Sequence, residues 1–186
     1  MVYTTAQLDY KSKEFSEAAF DAFYEEYYGR IYNYIYFRIK DTFTAEDLTG
    51  IVLEKALKNM RRYDETRTQI STWIFSIARN TLIDFYRLKS RKDVYFEEGA
   101  ELTLPDEVSS GVEECVLEKE QSAVITKALE CLSDREQEIV ALKFWGGLRS
   151  REIAEQMGLD EGNVNVIVFR ALKKLKKHMD ENGISL

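Results

Sequence analysis

The 186-residue chain contains a single proline and nine glycines. So few breakers exclude the short, turn-bounded strands of a sandwich or barrel and leave room for long helices. There is one histidine, His178, and the two cysteines, Cys115 and Cys131, have no second thiol or imidazole at metal-ligand spacing. A zinc cluster, a histidine-based triad and a disulfide framework are thereby excluded, and a reducing cytoplasm is the expected location. No run of 18 apolar residues occurs, so no membrane span is expected. The opening stretch MVYTTAQLDYKSKEF has no hydrophobic signal core, so secretion is not expected. With no GxxxxGK loop and no paired His/Cys set, the sequence points to no enzyme, no cofactor, no metal and no catalytic residue.

What is present is charge, unevenly placed. The net charge is −7, yet residues 96–121 alone hold nine Asp/Glu against one Lys. Residues 1–95 come to +1 and residues 122–186 to zero, so the acidity belongs to one segment. That segment also contains Pro105, two glycines and a Ser-Ser pair, the composition of a flexible acidic linker between two helical domains. The expected organisation is a domain over 1–95, a linker over 96–116 and a second domain over 117–186. The fold class is all-α.

In the first domain, apolar residues recur at helical spacing from Glu14 to Ile39: Phe15, Ala19, Phe23, Tyr27, Ile31, Ile35 and Ile39, with Phe20, Tyr24, Tyr28 and Tyr34 widening the stripe. Thr44-Ala-Glu-Asp47 predicts a second helix start, a hydroxyl cap followed by acids, running to about Met60. Its inward face is Ala45, Leu48, Val52, Ala56 and Met60. Asp47, Gly50, Ile51, Glu54 and Lys58 lie opposite, as an ordinary solvated face or, because Ile51 is ringed by charge, as a partner surface. Residues 61–70 read as a polar loop. A third helix runs from about Ser71 to Arg91, with Ile74, Ala78, Leu82, Phe85 and Leu88 inward. Trp73, Ser76, Asn80, Asp84, Arg87 and Arg91 form the other face. That ridge suits unpaired nucleic acid, arginines meeting phosphate and the indole stacking on a base. It equally suits a half-buried Trp at a core edge beside ordinary surface charges.

In the second domain, Leu117–Leu132 reads as helical, with Val124, Ile125, Ala128 and Leu132 inward. Ser133-Asp-Arg-Glu136 is a capping box opening the next helix, which Gly146-Gly147 ends. SREIAEQM forms a short helix stopped by Gly158. Asp160 then caps a long helix from about Glu161 to Met179. With Ile153, Ala154, Leu159, Val164 and Val168 as the packing set, this is a helix-turn-helix. On the long helix Val164, Ile167, Val168, Ala171, Leu172 and Leu175 face inward. Asn163, Asn165, Val166, Phe169, Arg170, Lys173, Lys174, Lys176 and Lys177 face outward. Amides there can read base edges and cations can hold phosphates, whereas Lys176 and Lys177 are better explained by the helix dipole.

Three segments in this order, AEDLTGIVLEKAL, STWIFSIARNTLIDFYR and LSDREQEIVALKFWGGLRSREIAEQMGLDEGNVNVIVFRALKKL, resemble an extracytoplasmic-function (group IV) sigma factor. The resemblance covers about residues 14–91 and 115–178. It implies a dissociable specificity subunit of bacterial RNA polymerase, located in the cytoplasm, that binds the largest-subunit clamp and flap of the core enzyme as well as promoter DNA. An anti-sigma factor is an implied further partner. By that resemblance Asp47, Gly50, Ile51, Glu54 and Lys58 bind core polymerase. Arg67, Thr68, Gln69, Trp73, Ser76, Asn80, Asp84, Arg87 and Arg91 engage the −10 element and open the duplex. Arg149, Ser150, Asn163, Asn165, Val166, Phe169, Arg170 and Lys173 read the −35 element. Asn165, Val166 and Ile167 stand where family recognition helices commonly carry Lys or Arg. A stand-alone helix-turn-helix regulator is the alternative, but it predicts a sensory βα domain where residues 1–91 are patterned as helices.

Overall fold

A computed structural model describes residues 17–95, 129 and 131–182, with side chains placed for 20–89, 129 and 131–182. The expected linker, most of the helix expected over Leu117–Leu132, Phe15 and the side chains of Ala19 and Arg91 lie outside what is described. Every regular element among the described residues is helical: α1 (Glu17–Ile39), α2 (Thr42–Asn59), a 3₁₀ turn (Met60–Arg62), α3 (Ile70–Tyr95), α4 (Asp134–Phe144), α5 (Ser150–Met157) and α6 (Glu161–Asn182).

The first three helices wrap an aromatic-rich core. Phe23, Tyr27, Ile31, Tyr34 and Ile35 of α1 are buried, as the periodicity predicts. They meet Ala45, Leu48, Val52, Leu53 and Ala56 of α2 and Ile74, Phe75, Ala78 and Leu82 of α3, all buried. A side chain of this size contributes about 1.5–3 kcal/mol when fully buried, so this set holds the three helices together. Burial pushes the Tyr27 and Tyr34 phenols well above their ordinary value of 10. Buried Thr49 donates to the Ala45 carbonyl at 2.7 Å, which satisfies its hydroxyl within the helix. Along the outer edge of α1, Tyr24, Tyr28, Tyr32 and Tyr36 stack ring on ring one turn apart, with centroids 4.8, 6.3 and 5.7 Å apart.

Three expectations change here. The cap of α2 is Asp41, not Thr44. Asp41 is extended (φ −130°, ψ 121°) and accepts the Thr44 amide at 2.8 Å, so the helix starts a turn earlier. Hydrogen bonds from the Thr44 hydroxyl and then its amide hold the Asp41 carboxyl below its ordinary range. Leu88, expected inward, is exposed because α3 extends beyond the helices it packs on. Phe37, absent from the expected stripe, is buried because the second half of the chain covers it.

In that second half the capping box forms as expected. The Ser133 amide donates to Glu136 Oε2 at 2.9 Å, and Ser133 Oγ accepts the Glu136 amide. Leu132 lies in the preceding turn rather than in a helix, and is buried as expected. Gly147 and Gly158 both take left-handed backbone (φ 64°), a region that costs residues with a Cβ about 1–2 kcal/mol. Gly158 ends α5, the chain reverses, and Asp160 Oδ1 accepts the Gly162 amide at 2.8 Å to open α6. Ile153, Ala154 and Val164 are buried at the crossing of α5 and α6, with Leu159 and Val168 packed against them. Leu172, expected inward, is 42% exposed. Its neighbour Ala171 takes the inward position, and the packing stripe passes through Ile167, Val168, Ala171 and Leu175.

Candidate polymerase and promoter interfaces

The outer face of α2 carries Asp47, Gly50, Ile51, Glu54 and Lys58, all exposed. Ile51 is 40% exposed, and a Cβ added at Gly50 would meet no atom within 4 Å beyond its own stretch of helix, so the helix surface is open to close approach there. Glu54 and Lys58 pair one turn apart, and the Lys58 hydrogen bond and charge hold the Glu54 carboxyl below its ordinary range. The sequence reading missed Phe43. It is 69% exposed at the start of the same face, one turn before Asp47, and lengthens the apolar part of the surface. Its signal was an aromatic residue off the Ala45–Leu48–Val52 stripe.

The loop between α2 and α3 is organised by Asp64. Its Oδ1 accepts the Thr66 amide at 3.0 Å, its carbonyl accepts the Arg67 amide at 3.1 Å, and its carboxylate lies 3.3 Å from Arg67 Nε. Tyr63 donates to the Thr68 carbonyl at 2.9 Å and packs its ring 5.3 Å from that of Trp73. The loop is thereby folded back onto the start of α3, which brings Arg67, Thr68 and Gln69 beside Trp73. Tyr63 and Asp64 are the positioning residues that sequence reasoning did not single out. Trp73 is half-buried, its ring packed at the edge of the core with part of it open to solvent. Ser76 turns its hydroxyl onto the Trp73 carbonyl at 2.6 Å. Asn80, Asp84 and Arg87 are exposed further along α3.

On the helix-turn-helix, Asn163, Asn165, Val166, Phe169, Arg170 and Lys173 are all exposed on α6. Phe169 is 70% exposed, a large apolar ring with no packing role of its own. Lys174 and Lys177 are engaged elsewhere, with Glu136 at 2.7 Å and Glu181 at 3.6 Å. Arg149 is exposed, and its amide donates to Glu152 at 2.7 Å at the start of α5. Ser150 does not share that surface: it is buried, its hydroxyl 3.5 Å from Lys143 Nζ, because the first turn of α5 packs against α4. Its hydroxyl leaves the expected −35 set.

No group of three or more His, Cys, Asp or Glu side chains among the described residues is placed to hold a metal ion. No described helix is long and apolar enough to cross a membrane.

Residues 23–92 match the family described as Sigma-70 region 2, and residues 122–175 match Sigma-70, region 4. The first match contains α2, the loop and the Trp73 ridge; the second contains α4, α5 and most of α6. The chain is 32% identical over 165 residues to the ECF RNA polymerase sigma factor BldN of Streptomyces coelicolor, covering 89% of this chain and 62% of that protein. It is 30% identical over 166 residues to the RNA polymerase sigma factor YlaC of Bacillus subtilis, covering 86% of this chain and 91% of that one. In fold it is similar to the sigma factor RpoE solved in complex with the anti-sigma factor NepR from Bartonella quintana, with a TM-score of 0.64, 19% identity, and 87% and 96% of the two chains covered. Both sigma regions occur here, in order, on helices that present the surfaces described above, and the chain belongs to the extracytoplasmic-function RNA polymerase sigma factors.

Proposed function

We infer that the chain works in the cytoplasm as a promoter-specificity subunit that performs no catalysis itself. It binds core RNA polymerase, directs it to a −10 and a −35 element, and joins the nucleoid as part of the holoenzyme. The observation that carries this reading is the pairing, on one chain, of an exposed polymerase-type face on α2 with a helix-turn-helix whose recognition helix leaves amides and apolar groups uncovered. In this reading the domains run over 1–95 and 117–186, with the acidic segment 96–116 between them. Asp47, Gly50, Ile51, Glu54 and Lys58 grip the clamp of the largest subunit, with Phe43 extending that contact, and the second domain meets the flap.

Opening of the −10 element falls to the loop and to α3. Unstacking a base costs a few kcal/mol. Stacking on an aromatic returns roughly 1–3 kcal/mol, and polar groups in a pocket add to it. Arg67, Thr68 and Gln69 border that pocket, Trp73 forms its wall, and Ser76, Asn80, Asp84, Arg87 and Arg91 continue the track along α3. At the −35 element, Asn163 and Asn165 pair with base edges, Val166 and Phe169 meet thymine methyls, and Arg149, Arg170 and Lys173 hold phosphates. Control by an anti-sigma factor fits the apolar residues left exposed on α2 and α6, and RpoE from Bartonella quintana, similar in fold, has been solved in complex with the anti-sigma factor NepR. Reconstitution with core polymerase tests the reading: the chain must form a stable holoenzyme and start transcription from a promoter carrying both elements.

A further inference from the structure

A lysine normally keeps its ammonium in water or sets it against a carboxylate. Among the described residues two lysines do neither, one in each half of the chain. Lys55 of α2 and Lys143 of α4 are half-buried, whereas every other lysine with a placed side chain is exposed. No described carboxylate lies within 4.0 Å of either ammonium, although Lys58, Lys174 and Lys177 each pair with one. Both are set against a hydroxyl instead. Lys55 donates from Nζ to Thr81 Oγ1 at 3.0 Å, and Lys143 Nζ lies 3.5 Å from Ser150 Oγ. Thr81 and Ser150 are themselves buried, so these hydroxyls are fixed posts. An ammonium carries three donors, and one hydroxyl takes one of them. Partly dehydrating a cation with no opposite charge beside it costs free energy. The arrangement leaves donors and the positive charge for a group from outside the fold.

Both posts stand beside a surface that promoter DNA has to pass. Thr81 follows Asn80 directly and precedes Asp84 by three residues, about 60° round the helix from it at 3.6 residues per turn. Lys55 is therefore turned to α3, at the edge of the ridge that carries Asn80, Asp84 and Arg87, rather than to the Glu54–Lys58 face of its own helix. Asp84 is exposed on that ridge and does not take the ammonium. Ser150 is the first residue of α5. In a helix-turn-helix this first helix crosses the phosphate backbone while the second enters the groove. The neighbouring Glu152 carboxylate is turned onto the Arg149 amide at 2.7 Å and leaves Lys143 unneutralised. The burial that withdraws the Ser150 hydroxyl from the −35 contacts is what places it against Lys143.

We propose that Lys55 and Lys143 are phosphate anchors held ready by Thr81 and Ser150: Lys55 binds a phosphodiester of the strand opened along α3, and Lys143 binds one of the −35 duplex. Such contacts set register and orientation without reading sequence. The assignment rests on the sigma-factor reading of the two surfaces.

The salt dependence of promoter binding by the assembled holoenzyme is the test. Each phosphate contact adds its own slope to log K against log salt, about 0.7 on a single strand and about 0.9 on duplex. Lys55→Met and Lys143→Met keep the half-buried stem and remove the charge. On a labelled promoter with a pre-melted −10 bubble, Lys55→Met should lower the slope by about 0.7 and Lys143→Met by about 0.9. Counterion release alone then lowers affinity at 0.1 M salt roughly fivefold and roughly eightfold. The loss should be uniform across promoter sequences, with base preference as in wild type. On a fragment without the −35 element the Lys143→Met effect should vanish and the Lys55→Met effect persist. Lys55→Gln and Lys143→Gln, which keep a polar head for the hydroxyl, should give the same slopes, and Lys55→Arg and Lys143→Arg should restore them. Unchanged melting temperatures and unchanged retention of core enzyme separate the effect from folding and from assembly. Slopes equal to wild type in an assembled holoenzyme would overturn the anchors. Lost core-enzyme retention with an intact slope would also overturn them, and would give the lysines to an acidic group of polymerase. A wild-type chain that forms no holoenzyme would overturn the sigma-factor reading, and the anchors with it.

Discussion

Lys174 on α6 reaches Glu136 in the capping box of α4, with its Nζ 2.7 and 2.9 Å from the two carboxylate oxygens. One carboxylate thus closes the cap and ties the recognition helix to the helix beneath it. The Lys174 hydrogen bond, then the Ser133 amide and hydroxyl, hold the Glu136 carboxyl below its ordinary 4.5. A carboxylate with a depressed folded pKa contributes its full stability above the unfolded value and loses it as pH falls through the folded one. The contribution is therefore present at neutral pH and fades below about pH 4.5. Glu136→Gln should cost about 1 kcal/mol at pH 7 and flatten the acid limb of the helix-turn-helix unfolding transition. Thermal melts at pH 7 and pH 3.5 check both; an acid limb as steep as wild type would show that another group sets it.

The two glycines at the turns should respond differently to alanine. At Gly158 no atom lies within 4 Å of an added Cβ, so Gly158→Ala carries only the left-handed backbone penalty of about 1–2 kcal/mol. At Gly146 the same Cβ would collide with the Leu142 carbonyl and sit 2.8 Å from Leu148 Cδ1, and backbone has nowhere to go. Gly146→Ala should therefore lower the melting temperature well beyond Gly158→Ala. Equal melting temperatures would contradict this local geometry.

Phe169 offers a clean probe of −35 reading because its ring supports no core. Phe169→Ala should leave the melting temperature unchanged and cost about 1–3 kcal/mol at one base position of an A·T-containing element. Binding of holoenzyme to a promoter set substituted base by base measures it. Unchanged promoter preference with lost inhibitor binding would assign the ring to an anti-sigma contact instead.

For duplex opening, Asn80→Ala and Arg67→Ala should permit holoenzyme assembly but slow open-complex formation, and a promoter with a pre-melted −10 bubble should partly rescue the defect. Trp73→Ala is a poorer probe, since the ring also packs on Tyr63 and its loss disturbs the loop. Wild-type opening rates in both polar variants would place the −10 contact on another face.

Local pattern carried much of the architecture. The inward stripe of α2, the capping box at Ser133 and the stop at Gly158 each follow from a few neighbouring residues whose chemistry admits one local conformation. The errors fall where distant chain decides. Phe37 is buried by Trp145, more than a hundred residues away, and Ser150 is covered by α4. Leu88 and Leu172 satisfy helical periodicity, yet among the described residues no element covers α3 and α6 at those positions. Asp41 and Thr44 are both acceptable caps by residue type, and only the backbone at Asp41 decides between them. Lys55 and Lys143 were invisible for the same reason: nothing local distinguishes either from an ordinary surface cation. Among the proposed contact residues, exposure on α2 and α6 was legible, whereas the fold of the 61–69 loop around Tyr63 and Asp64 was not.

With charge balanced on both halves and concentrated between them, the chain alone has little to offer a phosphate backbone, and non-specific affinity is mostly phosphate neutralisation. The free protein should bind duplex promoter weakly and gain tight, specific binding only with core polymerase.

Capture of core RNA polymerase by the full-length chain, followed by transcription from a promoter with −10 and −35 elements, tests the central claim most directly. Wild type should retain the core enzyme and start transcription at one site, while Ile51→Glu, on the open face of α2, should retain at least tenfold less with unchanged helix content, as expected when a charge enters the middle of an interface. A wild-type chain that leaves core polymerase in the flow-through, yet binds duplex promoter tightly by itself, would contradict the account.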